Sequence, residues 1–430
     1  MENSDLVRVG LLGCGVVGSE VARLLAANQS DFASRSGAAL EITKIAVRTI
    51  KDRPGIDNSL FTTDANSVVN DPDIDVIIEV MGGIEPSKDL LFSAIKNGKS
   101  VITANKALLA KHGNELFHAA DDAGVDFYYE AAVAGAIPII RPLSESLVGD
   151  HINKVMGIIN GTTNYILTQM YETGADFGDA LKEAQALGFA EADPTADVEA
   201  FDAAAKAAIL ASLAFHTKVT DADVYREGIT KISSHDISVA KDMGLVIKLL
   251  AIAELNEDNE VAVRVHPTLL SKNHPLASVR GSFNAVFVES EAAGELMFYG
   301  RGAGGTPTAS AVLGDLVAVA RNLMADSTAP ATSDYAQLKV ANIGHSKTRY
   351  LIRLDVADKP GVLANVASTF AANSVSIHTV RQKGRGDDAD LTIMTHKATE
   401  DALSKTVKSL AALDVVRQVA SVIRVEGHIE

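Results

Sequence analysis

The sequence predicts an α/β chain in three parts: a parallel-sheet domain first, an α+β domain in the middle and a small ferredoxin-like unit last. Three observations carry this. Over residues 6–133 short apolar runs alternate with amphipathic helical stretches, the spacing of βαβ units and a parallel sheet. A glycine-rich turn, GCGVVG at 13–18, falls between the first apolar run and the first helical stretch. Residues 349–430 follow the order strand, helix, strand, strand, helix, strand, which is that of a ferredoxin-like unit. The 430 residues suit two or three domains of about 150 residues each.

Taken in order, LVRVGLL at 6–12 is a buried strand and SEVARLLAAN at 19–28 an amphipathic helix. Strands follow at 40–47 (LEITKIAV) and 75–83 (DVIIEVMGG), then a helix at 90–99 (LLFSAIKNGK). SVITANK at 100–106 is a strand with its turn, and VDFYYEAAV at 125–133 closes the series. The boundaries follow: 1–133 for the first domain, 134–300 for the second, 331–348 as a Ser/Thr/Ala/Pro linker and 349–430 for the last. The second domain mixes strands such as 152–160 and 262–270 with Ala-rich helices such as 198–215. Residues 301–330, a glycine loop running into a helix, are expected to return to the first domain.

With 55 acidic against 39 basic residues, the net charge of −16 repels nucleic-acid backbones and anionic lipid, so neither is expected as a partner. A single cysteine, Cys14, excludes an internal disulfide and any cysteine metal cluster, and fits a cytoplasmic location. MENSDLVRVGLL lacks the build of a signal peptide, and the apolar run at 131–140 is far short of the ~20 residues that span a bilayer.

Gly13, Gly15 and Gly18 complete G-x-G-x-x-G between strand and helix, a dinucleotide fingerprint of the Rossmann type. The backbone amides of Gly13, Gly15, Val16, Val17 and Gly18 would face the pyrophosphate at the helix N-terminus. NAD sites usually carry an acidic residue after the second strand, yet this strand ends at Arg48, followed by Thr49 and Lys51. Arg48 and Lys51 suit a 2′-phosphate and so NADP over NAD; a plain surface arginine is the alternative at Arg48.

Thr103, Asn105 and Lys106 lie just past a strand's carboxyl end, where open α/β sheets bind ligands and a lysine can polarise a carbonyl or bind an anion; a plain loop lysine is an equal alternative for Lys106. Glu130, in the apolar EAAVAGAIP run, needs a partner; a hydrogen-bond network and a hard cation both qualify, and the network is favoured. The Gly and Thr residues of GIINGTTNYI at 157–166, Thr162 among them, offer groups to a carboxylate or serve as helix caps. In GFAEADPTADVEAFDAAAK at 188–206, Asp202 and Lys206 share a helix face four residues apart. Most such pairs are solvated, but this helix is otherwise almost all apolar, and a near-buried lysine suits proton donation. Glu191, Asp193 and Asp197 before it supply acid for a substrate ammonium. Cys14 is a packing residue rather than a nucleophile, which leaves hydride transfer between alcohol and carbonyl with lysine as acid and base.

Together GCGVVG, TANKAL, EAAVAGAIP, NGTTNYI, GFAEADPTADVEAFDAAAKAAIL, FYGRGAGGTPTASAV and DKPGVLA resemble, in order, the monofunctional homoserine dehydrogenases that end in an ACT domain. The resemblance implies NAD(P)H-dependent interconversion of L-aspartate 4-semialdehyde and L-homoserine on the route to threonine and methionine. It implies that Lys206 donates the proton, Asp202 orients it, Glu191 holds the substrate amino group and Lys106 is a second active-site lysine. It places a monovalent cation, Na+ or K+, at Glu130, Val133, Gly135 and Ile137, in place of the network favoured above, and Gly302 in a loop that closes near the cofactor. It further implies a catalytic and dimerisation role for 134–300, a homodimer or homotetramer, and feedback by threonine through the ACT domain. Truncation after about residue 330 is then expected to spare catalysis.

Overall fold

The computed structural model describes residues 6–331, 334–385 and 388–427. The reading of MENSD at the start, and residues 332–333 of the expected linker, fall outside these. The chain folds into two compact units that interleave along the sequence. One comprises Met1–Val155, Ala205–Asp223 and Phe283–Gln337; the other Met156–Ala204, Val224–Ser282 and Leu338–Glu430.

The first unit is built on six parallel strands: β1 (Leu6–Leu12), β2 (Ala39–Ala46), β3 (Phe61–Thr62), β4 (Val76–Glu79), β5 (Ser100–Thr103) and β6 (Phe127–Tyr128), in the order β3-β2-β1-β4-β5-β6. The strands are apolar on both faces because helices cover both. On one side Val9, Leu11 and Ile78 pack with Val21 and Leu25 of the helix Val16–Ala27 and with Val312, Leu316 and Val319 of the helix Gly305–Met324. On the other, Leu12, Ile77 and Val101 meet Leu90, Leu91, Leu108 and Leu116 of the helices Ser87–Lys96 and Lys106–Ala123. The strand order reverses between β1 and β4, the switch point at which such sheets bind ligands.

Two expectations need correction. The strand expected over 125–133 is only two residues long, and Glu130–Ala132 is a 3-10 turn. The Glu130 carboxylate draws the chain out of the sheet by accepting the main-chain N–H groups of Ile139, Ile140 and Arg141. The helix expected to run unbroken over 198–215 is two, Thr195–Val198 and Phe201–Ala214. Ala200 lies between them in the left-handed region at φ 64°, which no α-helix accommodates.

In the second unit six strands run side by side. Leu245–Leu255 pairs antiparallel with Val261–Ser271, which pairs parallel with Val416–Glu426, and Lys347–Ala357, Asp388–Thr395 and Ile377–Arg385 follow antiparallel. The last four, with the helices Val362–Ala372 and Glu400–Ala411, have the expected βαββαβ order. Their core is Ile352, Leu354, Val366, Phe370, Leu391, Ile393, Leu403 and Leu410.

Candidate active site

The glycine loop has its three glycines for three different reasons. Gly13 has φ 100°, and a Cβ on it would lie 2.9 Å from the Val80 carbonyl oxygen. A Cβ on Gly18 would lie 2.1 Å from the Gly13 carbonyl oxygen, so only glycine lets the helix close on the turn. Gly15 has a negative φ, −83°, and nothing within 4 Å of where its Cβ would stand, so its absent side chain leaves open space over the loop. The helix begins at Val16, inside the motif and earlier than the expected 19, and no side chain caps it. The amides of Val16, Val17 and Gly18 therefore stand at an open helix N-terminus, where an anion is stabilised. Cys14 is buried in the core beside Ser19, as a packing residue.

Arg48 and Lys51 lie exposed on the loop after β2, which ends at Ala46. Arg53, not singled out in the sequence, ties that loop to the glycine turn. Its Nε donates to the Cys14 carbonyl at 2.9 Å, its Nη1 to the Lys51 carbonyl at 3.1 Å, and its guanidinium lies over the Phe61 ring.

At the carboxyl ends of β4 and β5, fully buried Glu79 accepts the Thr103 hydroxyl at 2.7 Å and the N–H groups of Met81 and Gly82. The Thr103 hydroxyl in turn accepts the Asn105 N–H at 3.0 Å, and the Asn105 side chain caps the helix that opens with Lys106. Thr103 thus shapes the turn that presents Lys106, its own hydroxyl already engaged.

Glu130 is 3% exposed, and its carboxylate accepts three main-chain N–H groups at 2.6, 2.8 and 3.0 Å with the Arg141 Nε 3.5 Å away. Asp315, fully buried, accepts the Glu130 N–H and an Arg141 nitrogen; burial pushes its carboxyl up to about 8. The carboxylate is therefore satisfied by a network, as the residues alone favoured. The carbonyls are different: Val133, Gly135 and Ile137 are buried residues, and among the described residues no hydrogen bond ends on their main-chain oxygens. Ala134 and Gly135 both sit at φ 56°, turning the chain sharply here. A Cβ on Gly135 would lie 2.6 Å from the Gly302 carbonyl, and one on Gly302 would overlap the Asn284 amide. Just after Gly302, a Cβ on Gly305 would lie 2.9 Å from Val16 Cγ1, which sets this loop beside the glycine turn.

In the second unit the segment 188–204 is organised by Asn160, not singled out in the sequence. Asn160, 5% exposed, donates from Nδ2 to Asp197 Oδ1 at 2.6 Å and to Asp202 Oδ2 at 2.9 Å. Asp197 and Asp202 are thereby brought together. Lys206, four residues after Asp202 in the helix Phe201–Ala214, is 7% exposed among alanines, the burial expected of it. The Thr162 hydroxyl donates to the Phe189 carbonyl at 2.7 Å, anchoring the segment that leads to Glu191. Glu191 is exposed, with its carbonyl held by Gln185. Asp193 serves locally: its carboxylate accepts the Thr195 N–H and hydroxyl, which hold it below the usual carboxylate range.

Among the described residues no group of three or more His, Cys, Asp or Glu side chains is placed to hold a metal ion, and no helix is long and apolar enough to cross a membrane.

The family model described as homoserine dehydrogenase matches residues 138–317, the one described as homoserine dehydrogenase, NAD binding domain, matches 13–130, and the ACT domain model matches 350–415. The homoserine dehydrogenase of Mycobacterium tuberculosis is 55% identical over 431 residues, covering 98% of both chains. The crystal structure of a homoserine dehydrogenase from Thiobacillus denitrificans superposes with a TM-score of 0.93 at 41% identity, over 99% of both chains. A hyperthermophilic archaeal homoserine dehydrogenase solved in complex with NADPH covers 73% of this chain and 97% of its own, at 26% identity and a TM-score of 0.63. A nucleotide-binding domain, a catalytic domain and an ACT domain in this order, at this identity and over almost the whole length, place the chain in the homoserine dehydrogenase family.

Proposed function

We propose that this chain is an NADP-preferring homoserine dehydrogenase that reversibly reduces L-aspartate 4-semialdehyde to L-homoserine, on the route to threonine and methionine. The observation that carries the proposal is the near-burial of Lys206 one helical turn from Asp202, whose carboxylate Asn160 holds. In this reading Lys206 delivers the proton to the carbonyl oxygen on reduction and takes it back on oxidation, the work of a general acid and base. Asp202 orients the lysine, Glu191 and Asp197 hold the substrate ammonium, and Lys106 serves as the second active-site lysine. Thr162 acts by fixing the Glu191 segment through Phe189. The nicotinamide, when bound, exchanges the hydride. Its pyrophosphate would rest on the amides of Gly13, Gly15, Val16, Val17 and Gly18, and its 2′-phosphate on Arg48 and Lys51, with Thr103 shaping the sheet end and Gly302 bordering the loop. The NADPH complex of the archaeal relative supports this choice of cofactor.

For the monovalent cation the donors divide. The Glu130 carboxylate already accepts three main-chain N–H groups, so in this reading the cation, Na+ or K+, takes its oxygens chiefly from the carbonyls of Val133, Gly135 and Ile137, with Glu130 supplying the nearby negative charge. We further propose that the ACT domain binds threonine as feedback inhibitor and that the protein works as a cytoplasmic homodimer or homotetramer, with residues 1–133 and 301–330, 134–300 and 349–430 as its functional divisions. Absorbance at 340 nm with L-homoserine and either NADP or NAD tests the reaction, and sedimentation tests the assembly.

A further inference from the structure

We infer that Asn160 is a positioning residue for the reaction, its side-chain amide clamping the Asp197 and Asp202 carboxylates in one arrangement ahead of Lys206. The inference rests on the roles proposed above for those two acids.

Asn160 ends the chain segment that follows the strand Ile152–Ile158 and caps the helix Gly161–Thr173. Its Oδ1 accepts the Thr163 N–H at 2.9 Å and the Thr163 hydroxyl at 2.9 Å. Those two bonds settle the orientation of the amide, because only the oxygen can accept them. Nδ2 is then compelled to face the other way, one proton toward Asp197 at 2.6 Å and the other toward Asp202 at 2.9 Å. All four hydrogen-bonding positions of the side chain are occupied. Two carboxylates held near one another repel, and a neutral double donor between them offsets that repulsion without pairing away either charge. The left-handed turn at Ala200 separates the short helix bearing Asp197 from the helix bearing Asp202. Without that turn the two acids would sit on one continuous helix, five residues apart and on different faces.

The two jobs of Asn160, cap and clamp, can be separated by substitution. Serine and aspartate cap helices about as well as asparagine, but neither has two N–H protons to give. In the full-length protein, Asn160→Ser should melt within a few degrees of wild type and Asn160→Asp somewhat lower, its charge being buried beside two acids, and both should bind NADP as wild type does. Their kcat/KM for L-homoserine should fall by about 10- to 100-fold, the scale for small misplacement of reacting groups. Asn160→Asp should fall further than Asn160→Ser because it adds a third negative charge. KM should rise through Asp197 and kcat should drop through Asp202. Asn160→Ala, which also loses the cap, should show the kinetic loss together with a lower Tm. Wild-type kcat/KM in both capping variants would reduce Asn160 to a helix cap and overturn the clamp. Asp197→Asn and Asp202→Asn serve as controls on the underlying reading. If they retain full turnover, the roles of the acids fail and the clamp with them; if they are impaired while both capping variants are not, the clamp alone fails.

Discussion

At the scale of single residues, what the sequence reveals is what lies close together along it. Asp202 and Lys206 are legible because helical periodicity puts them on one face and the alanines around them announce burial. Asn160, Glu79 and Arg53 are not, because each acts on a partner 42, 24 and 39 residues away, respectively, through the fold. Caps were expected among the Gly and Thr residues of NGTT; the cap is instead Asn160, and its amide reaches two acids across the chain. Lys206→Ala should lower kcat by at least ~10²-fold while leaving NADP affinity nearly intact, as measured by steady-state kinetics and cofactor fluorescence. Near-normal turnover would remove lysine as the proton donor. A second lysine carries a prediction about stability. Lys248 is 2% exposed, donates to Asn164 Oδ1 at 2.9 Å and to the Val279 carbonyl, and is pulled down to about 7, by burial first and then by Arg280. Between about pH 7 and the ordinary lysine value near 10.4 the unfolded chain binds a proton that the folded chain does not, so Lys248 makes stability rise with pH across that window. Below pH 7 both states hold the proton and the dependence ends. The difference in unfolding free energy between wild type and Lys248→Met should therefore change by several kcal/mol from pH 7 to pH 10, read by urea melts at each pH. A pH-independent difference would contradict the burial of a titrating lysine.

At the scale of elements, periodicity found the strands and helices, and backbone conformation decided where they stop. The break at Ala200 carries no glycine or proline to mark it, so a helical pattern ran straight through it. The short β6 likewise ends because a carboxylate captures the three amides of 139–141, a contact that no local pattern displays. The glycine loop was legible because its three glycines fall within six consecutive residues at the spacing of the motif. Its glycines should respond differently to the same methyl group. Gly18→Ala forces backbone against backbone and should cost about 1–3 kcal/mol of stability, read as a lower Tm. Gly15→Ala meets nothing in the protein, so its Tm should stay put while its NADP affinity falls, because the methyl occupies the space over the loop. Wild-type NADP binding by Gly15→Ala would show that the pyrophosphate does not lie there. Arg48→Ala should weaken NADP by about 10-fold or more, the worth of a charge-assisted hydrogen bond, and leave NAD unchanged.

At the scale of the whole molecule, the order of the parts was legible and their separability was not. The final strand Val416–Glu426 lies in the sheet between Val261–Ser271 and Lys347–Ala357. Its Glu426 pairs at 2.7 Å with Arg264, which is 1% exposed and also pairs with Glu254. Its Arg424 holds Glu400 through two bonds of 2.8 and 2.9 Å and reaches Glu227 at 2.9 Å. Removing the last eighty or so residues strips a partner from a buried guanidinium and opens an edge of the sheet, a loss on the order of 3–5 kcal/mol from the ion pair alone. A chain that ends after about residue 330 lacks this strand too and should melt below the full one; its turnover with L-homoserine, read beside its Tm, checks the expectation that catalysis is spared. Regulation is accordingly tested on the full chain. The most direct measurement is absorbance at 340 nm with purified protein and L-homoserine, using NADP and NAD in turn, each with and without threonine, beside the Lys206→Ala variant. NADP should be reduced faster than NAD, threonine should suppress the reaction, and the variant should show almost none. No reduction of either cofactor, with none consumed in reverse on aspartate semialdehyde, would contradict the proposed function.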